Sequence, residues 1–232
     1  MIIDIITIFP RMFEDIVEYG VIKEAFKSGS CVLNLYDLRD FTDGRYRKVD
    51  DRPYGGGPGM VLMVGPLDRA ISHIRKKNAI KDRDLQKTIL LTPGGEKLQQ
   101  VCFRKLSVLE NLILICGRYE GVDQRLIELS IDMEISIGDY VLTGGEIPAM
   151  VLMDGIIRLM PGVVGKEESL QQESFENGLL DWPQYTRPSY YRGLEVPQVL
   201  QSGNHSEIQK WRKGKSFEIT KKIRPDLFDK KD

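Results

Sequence analysis

The stretch Met133-Glu-Ile-Ser-Ile-Gly-Asp-Tyr-Val-Leu-Thr-Gly-Gly-Glu146 joins a short apolar segment to a second, longer one through a glycine-rich turn. Residues 133–137 have the length and composition of a buried strand. Residues 146–159 are apolar almost throughout, which is typical of a helix packed inside a protein. Strand, turn and helix alternate in the same way upstream. This alternation predicts an α/β fold with a mostly parallel sheet.

Other apolar segments along the chain predict further strands and helices. We predict strands over residues 2–9, 31–36, 88–92 and 112–116, and helices over residues 10–28, 66–77, 96–106 and 122–129. Residues 37–65 form a long, polar, glycine-rich stretch between them, and loops of that length are usually functional or mobile.

The α/β pattern stops after residue 160, and this change predicts a second domain. We place the first domain at residues 1–160, a linker at 161–173 and a small helical domain at 174–232. Within the small domain, residues 206–222 have helical character and no segment reads convincingly as a strand.

Charge is distributed unevenly along the chain of 232 residues. The net charge is −1, which excludes a protein that is basic over its whole surface. From residue 210 to residue 224, however, there are seven Lys or Arg and one Asp or Glu. Such a run is often only a solvated helix face, but Trp211 and the aromatic residues of 182–191 make polyanion binding a competitive interpretation.

The cysteines and the amino-terminal residues indicate the cellular compartment in which the protein works. The three cysteines are odd in number and widely spaced, without a CxxC or Cys/His pair, so neither a disulfide framework nor a zinc site is predicted. Residues 1–10 are apolar but too short for a membrane span, and no basic segment precedes them, unlike a signal peptide. We therefore expect a soluble cytoplasmic protein.

Three glycine-rich turns are candidates for a ligand site. They lie at residues 53–60, 92–96 and 137–146, and the last two follow predicted strands. Ligands of open α/β sheets bind beyond the carboxyl ends of strands, where glycine permits close backbone approach. The turns therefore predict an adenosine-containing ligand held by backbone hydrogen bonds, although each alone could be an ordinary tight turn. Neither a G-x-G-x-x-G helix start nor a P-loop occurs, which disfavours a nucleotide triphosphatase.

Two charged residues could take part in catalysis if the fold brings them to one cleft. Arg158 lies near the end of the predicted apolar helix and Glu173 ends the linker, so they could provide an oxyanion-stabilising cation and a general base. Spacing alone favours a plainer interpretation, in which Arg158 stabilises its helix terminus and Glu173 is a surface residue. His73 and His205 are isolated and support neither a catalytic triad nor a metal site; His205 could cap a helix or contact RNA.

Several longer motifs, spread in order over nearly the whole chain, resemble one family. They are Ile6-Thr-Ile-Phe-Pro10, Pro53-Tyr-Gly-Gly-Gly-Pro-Gly-Met60, Gly117-Arg-Tyr-Glu-Gly-Val-Asp123, Ser136-Ile-Gly-Asp-Tyr-Val-Leu-Thr-Gly-Gly-Glu146, Gly178-Leu-Leu-Asp-Trp-Pro-Gln-Tyr-Thr-Arg-Pro188 and Ser202-Gly-Asn-His205. Together they resemble the bacterial tRNA (guanine-N1)-methyltransferases of the trefoil-knotted SPOUT class.

The resemblance implies a fold, a reaction and partners. It implies a deep trefoil knot in the α/β domain and a homodimer whose active sites lie at the subunit interface. It also implies S-adenosyl-L-methionine as methyl donor and methylation of N1 of the guanosine immediately 3′ of the anticodon, with the tRNA anticodon stem-loop as partner. Mg²⁺ is associated with the family, but no ligand cluster in the sequence locates it.

The resemblance also assigns residues. The implied donor pocket consists of Pro93, Gly95, Gly117, Glu120, Ile137, Gly138, Tyr140, Leu142, Gly144 and Gly145. Arg158 would stabilise charge on O6, and Asp181 would help to hold the target guanosine. Many family members have Asp as the general base where this chain has Glu173, so we expect Glu173 to be the base, with Asp181 as the alternative.

The locally basic segment supplies the expected RNA contacts. These are His205, Lys210, Arg212, Lys213 and Lys215. Two rival functions stay open at this point. One is a SPOUT-type methyltransferase acting on ribosomal RNA, and the other is a non-catalytic RNA-binding translation factor.

Overall fold

The computed structural model describes residues 1–164 and 173–228, and the chain divides into two compact units, Met1–Gly165 and Lys166–Asp232. The strands of the first unit are, in chain order, β1 (Ile2–Thr7), β2 (Val32–Asp37), β3 (Asp50–Asp51), β4 (Val61–Leu62), β5 (Gln86–Lys97), β6 (Asn111–Cys116) and β7 (Met133–Ser136). Its α-helices are α1 (Gly20–Lys27), α2 (Val64–Asn78), α3 (Gln100–Ser107), α4 (Gln124–Ser130) and α5 (Glu146–Ile157). Most of the predicted linker, residues 165–172, lies outside the described residues.

Five strands of the first unit form one sheet in the order β2-β1-β6-β5-β7. Every neighbouring pair in this sheet is parallel, which confirms the predicted α/β class and the parallel sheet. Because the strands are parallel, their carboxyl ends share one edge of the sheet. The turns that follow β6 and β7 meet there with residues 92–95, where the pairing of β5 with β7 is interrupted.

Alternate residues of the central strand β6 supply two hydrophobic cores, one on each face of the sheet. Leu112 and Leu114 pack with residues of α1, α3 and α5. Ile113 and Ile115 pack on the other face with residues of α2 and α4. Strand β6 is buried at every position, as expected for a strand that is covered by helices on both sides.

Helix bounds differ from the predictions by one or two residues in α2, α4 and α5, and two other predicted helices of the first unit differ more. The helix predicted over residues 10–28 is broken into the 3₁₀ turns Pro10–Phe13 and Ile16–Glu18 and helix α1, and the positive φ of Gly20, +59°, marks the last break. The helix predicted from residue 96 begins only at residue 100. Residues 96 and 97 instead extend β5, pairing with β7 beyond a register shift after Leu91.

The stretch of residues 37–65 is more ordered than its composition indicates. It contains the 3₁₀ turn Leu38–Phe41 and the antiparallel pair of β3 with β4. These elements are too short to leave a periodic signal in the sequence.

The second unit contains α6 (Gln198–Gln201), the long helix α7 (His205–Ile223) and a hairpin of β8 (Tyr190–Tyr191) and β9 (Leu194–Glu195). The prediction that this unit lacks strands was therefore wrong. Arg192 and Gly193, at the turn, both have positive φ, as in the two-residue turns that suit hairpins. Two residues per strand are too few to show an alternating pattern.

Candidate functional site

A cavity lies at the carboxyl ends of β5, β6 and β7. Its three walls are residues 92–93, in the interrupted part of β5, and the turns of residues 117–122 and 137–145. The predicted donor residues that line it are Pro93, Gly117, Glu120, Ile137, Gly138, Tyr140, Leu142, Gly144 and Gly145. The structure therefore brings together residues from motifs that lie far apart in the sequence.

Gly95 is the predicted donor residue that does not line this cavity. A methyl group added at Gly95 would lie 2.4 Å from the backbone nitrogen of Ile135 in β7. Glycine therefore lets this part of β5 pass close to β7, which places the neighbouring residues 92–93 at the cavity.

Gly145 has a similar role on the opposite wall. A methyl group added there would lie 2.8 Å from the Cys116 Cα atom, and the Gly145 amide donates a hydrogen bond of 2.8 Å to the Gly117 carbonyl. Glycine thus allows the turn of residues 137–145 to lie directly against the end of β6. Burial raises the pKa of the adjacent Cys116 thiol well above its ordinary value, so this thiol stays protonated at neutral pH.

Glu120 connects the cavity to the glycine-rich turn of residues 53–60. The Glu120 amide donates to the Met60 carbonyl at 3.0 Å. A methyl group at Gly59 would lie 2.3 Å from a Glu120 carboxylate oxygen, and Gly59 has a φ of +83°, a backbone conformation that favours glycine. The turn of residues 53–60 therefore packs beside the cavity wall formed by residues 117–122.

Three polar residues close to the cavity were missed by the sequence analysis. The Glu146 carboxylate, at the start of α5, accepts a hydrogen bond of 2.8 Å from the Thr7 hydroxyl and forms an ion pair of 2.8 Å with Arg118. Arg118 also lines the cavity. Arg118 and Glu146 lie inside quoted motifs, but their spacing gives no sign that they meet.

The second unit has a cavity of its own, which brings the two candidate base residues together. Glu173, Asp181, Trp182, Lys213 and Ser216 are among the residues that line it. The Asp181 carboxylate accepts hydrogen bonds from the Trp182 amide at 2.7 Å and the Gln184 side chain at 3.1 Å. Its own amide donates to the Ser174 hydroxyl at 2.9 Å.

Helix α7 holds the segment that carries Asp181. The Thr220 hydroxyl accepts a hydrogen bond of 2.9 Å from the Leu180 amide, and the Ser216 hydroxyl donates to the Leu180 carbonyl. Both hydroxyl-bearing residues are buried and lie one helical turn apart. The position of Asp181 therefore depends on the packing of α7.

The predicted RNA contacts all lie on α7 but differ in their surroundings. Lys210 pairs with Glu207 at 2.9 Å and Lys215 with Glu218 at 2.6 Å. Exposed pairs of this kind are weak, so these two lysines can still meet a phosphate. Lys213 is exposed at the rim of the cavity.

Arg212 is less accessible than a fully solvated phosphate contact would be, and His205 does not cap its helix. The Arg212 guanidinium is half-buried and lies over the Trp182 ring, 4.8 Å from its centre. His205 is the exposed first residue of α7, and the helix is capped by Asn204, whose side chain accepts from the Glu207 amide. The suggested capping role of His205 was therefore wrong.

Arg158 directly follows α5 in the first unit and is half-buried there. Its amide donates to the Asp154 carbonyl at 3.1 Å, as at the end of a helix. Glu173 belongs to the second unit. A shared active site for Arg158 and Glu173 therefore stays a prediction.

Comparison with known proteins identifies the family. A family model described as "tRNA (Guanine-1)-methyltransferase TrmD" matches residues 1–230. The chain belongs to this family. The tRNA (guanine-N(1)-)-methyltransferase of Mannheimia succiniciproducens is 53% identical over 99% of this chain and 89% of its own length. The enzymes of the same name from Herminiimonas arsenicoxydans and Shewanella amazonensis are 49% and 51% identical, over 98% and 99% of this chain and 92% and 90% of their own lengths.

Membership of the tRNA (guanine-1)-methyltransferase family confirms the resemblance drawn from the motifs. In the described residues of this family member, no group of three or more His, Cys, Asp or Glu side chains could hold a metal ion. Across residues 1–164 and 173–228, no helix is long and apolar enough to cross a membrane.

Proposed function

We propose that this chain transfers a methyl group from S-adenosyl-L-methionine to N1 of the guanosine immediately 3′ of the anticodon in tRNA. The observation that carries the proposal is the cavity at the carboxyl ends of β5, β6 and β7, lined by almost all the residues that the family resemblance assigns to the donor. The relatives named above act on guanine N1 in tRNA, as their names state.

The residues of this cavity fit S-adenosyl-L-methionine. The close approaches at Gly95 and Gly145 bring the turns together around one cavity, and in our proposal the backbone of these turns holds the adenosine group. Glu120 adds a carboxylate, which suits a cationic sulfonium. When bound, the donor supplies an electrophilic methyl group, and the turns hold and orient it.

The target base needs a proton acceptor, because N1 of neutral guanine carries a proton and is a poor nucleophile. In our proposal Glu173 accepts that proton and Arg158 stabilises the negative charge that develops on O6. Asp181 lines the same cavity as Glu173 and holds the target, or takes over as the base if Glu173 does not act. His205, Lys210, Arg212, Lys213 and Lys215 bind the anticodon stem-loop.

The assembly is proposed on the family resemblance. The predicted first domain, residues 1–160, carries a deep trefoil knot and binds the donor, and the predicted small domain, residues 174–232, binds tRNA. Two copies form a homodimer, and residues of both copies complete each active site. We place the enzyme in the cytoplasm with its substrate. The described residues contain no group of three or more His, Cys, Asp or Glu side chains that could hold Mg²⁺, so we assign no ligands to this ion.

Two measurements test this function against its rivals. Tritiated S-adenosyl-L-methionine is incubated with the protein and with either unmodified tRNA or unmodified ribosomal RNA, and donor binding is measured by isothermal titration calorimetry. We expect donor binding and label in tRNA alone. Label only in ribosomal RNA would indicate a ribosomal methyltransferase, and the absence of donor binding would indicate a non-catalytic RNA-binding protein.

A further inference from the structure

Three segments of the first unit meet at the Glu146 carboxylate. Its Oε1 accepts a hydrogen bond of 2.8 Å from the hydroxyl of Thr7, the last residue of β1. Its Oε2 accepts from Arg118 Nε at 2.9 Å and lies 2.8 Å from the second guanidinium nitrogen. Thr7 and Glu146 are both about 1% exposed. Both carboxylate oxygens therefore have partners in a place that water hardly reaches.

Arg118 connects the Glu146 carboxylate to two of the three walls of the donor cavity. It belongs to the turn after β6, and its Nη1 donates to the Thr143 carbonyl of the opposite turn at 3.1 Å. Its guanidinium also lies over the Phe9 ring, 4.6 Å from the ring centre. A methyl group added at Gly144 would lie 2.1 Å from Arg118 Nε, so the opposite turn lies directly against this side chain.

The ion pair also affects the charge at the cavity. Arg118 is among the residues that line the cavity, and its side chain is only 16% exposed. Without the Glu146 carboxylate, a poorly solvated guanidinium charge would remain beside the ligand. Such a charge repels a cation much more than a neutral molecule.

We propose that Glu146 is a positioning residue of the donor site, which fixes the two donor turns through Thr7 and Arg118 and neutralises the Arg118 charge at the cavity wall. The inference rests on the proposed function, since it takes the ligand to be S-adenosyl-L-methionine. The donor carries a cationic sulfonium, whereas S-adenosylhomocysteine, its product, has a neutral thioether in the same place. The two ligands therefore separate the effect of charge from the effect of position.

The experiment measures the Kd of both ligands by calorimetry for the full-length protein and its variants. Glu146→Gln keeps the side-chain volume and an oxygen for Thr7 but removes the charge. We expect it to weaken S-adenosyl-L-methionine about tenfold more than S-adenosylhomocysteine, the size of the interaction of two charges roughly 10 Å apart at an effective dielectric constant near 20. Equal losses for the two ligands, or no loss, would overturn the proposal.

Substitutions at Thr7 test whether Glu146 positions the donor turns, because they change no charge. They also test the proposal if Glu146→Gln does not fold. Thr7→Val removes the hydrogen bond to Glu146 and also the one of 2.9 Å that the Thr7 hydroxyl accepts from the Phe9 amide. It should weaken both ligands equally, by about 2–10-fold or somewhat more, and Thr7→Ser should restore binding. Unchanged binding in Thr7→Val, or equal weakening in Thr7→Ser, would contradict a positioning role.

A control variant separates positioning from general destabilisation. Asn34 donates a hydrogen bond of 2.8 Å to the buried Asp4 carboxylate, away from the residues that line the cavity. Asn34→Ala should lower the unfolding temperature but leave both Kd values unchanged, and weakened binding there would count against a specific role for Glu146. If the wild-type protein bound neither ligand, the proposed function itself would fail.

Discussion

Gly95 and Ile135 approach each other so closely that a methyl group on Gly95 would lie 2.4 Å from the Ile135 backbone nitrogen. Between Leu91 and Glu96, β5 leaves its pairing with β7 and then resumes it. The residues between form the turn that carries Pro93 to the donor cavity. The contact at Gly95 therefore determines where one wall of the cavity stands.

Gly95→Ala should impair donor use, because the added methyl group must displace the backbone of β7 and the adjoining turn. A displacement of about 1 Å can lower the rate about 100-fold. Gly94→Ala is the matched control, since nothing lies within 4 Å of a methyl group at Gly94. Steady-state kcat/KM for the donor should fall in the first variant and stay within about twofold in the second. Equal values in both variants would contradict this account of the turn.

Glu173→Gln should abolish proton acceptance while preserving side-chain size. We expect a decrease of about 10²–10⁴-fold in single-turnover methylation, the usual contribution of a general base, with donor binding unchanged. Glu176→Gln, at a nearby carboxylate that does not line the cavity, is the control and should retain activity. If Glu173→Gln methylates at the wild-type rate, whereas Asp181→Asn binds tRNA normally but does not methylate it, the base is Asp181.

Lys213→Ala should weaken tRNA binding and also reduce its dependence on salt. Each lost phosphate contact lowers the slope of log K against log salt concentration by about one. Binding measured between low and high salt gives this slope. Lys23→Ala is the control, because Lys23 lies in α1 of the first unit and pairs with Glu18. An unchanged slope in Lys213→Ala would show that this lysine is only solvated.

Protein stability should fall in alkaline solution partly through Cys31. Burial raises the pKa of this thiol from its ordinary 9.0 to about 11. The unfolded chain therefore loses this proton near pH 9 while the folded protein keeps it, so stability is full below pH 9 and decreases up to about pH 11. The loss amounts to about 3 kcal/mol.

Urea unfolding of the wild type and of Cys31→Ala at several pH values measures this contribution. Titration of the other groups cancels in the difference between the two proteins. The stability advantage of the wild type should shrink between pH 9 and pH 11. A constant difference would contradict the raised pKa.

Local patterns in the sequence predicted the architecture well. Branched apolar runs such as residues 112–116 are buried on both faces, so they identify a parallel sheet without knowledge of any contact. The glycine-rich turns follow strands, and the parallel arrangement alone brings two of them to the same edge. The cavity was therefore predictable in its position and in most of its lining.

Contacts between distant residues could not be predicted in this way. Thr7 and Glu146 are 139 residues apart, and no periodic pattern connects them. The break at Gly20 depends on a positive φ that composition does not reveal. Likewise, Arg212 lies in a basic run that indicates a phosphate contact, whereas its half-buried guanidinium packs on Trp182.

Mapping of the modified nucleoside tests the central claim most directly. Unmodified tRNA is incubated with the protein and S-adenosyl-L-methionine, digested with nucleases, and analysed by mass spectrometry of the fragments and nucleosides. Our account predicts 1-methylguanosine at the position immediately 3′ of the anticodon, and none when that guanosine is replaced by adenosine. A methyl group on another nucleoside, on another atom of guanine, or on no tRNA at all would contradict it.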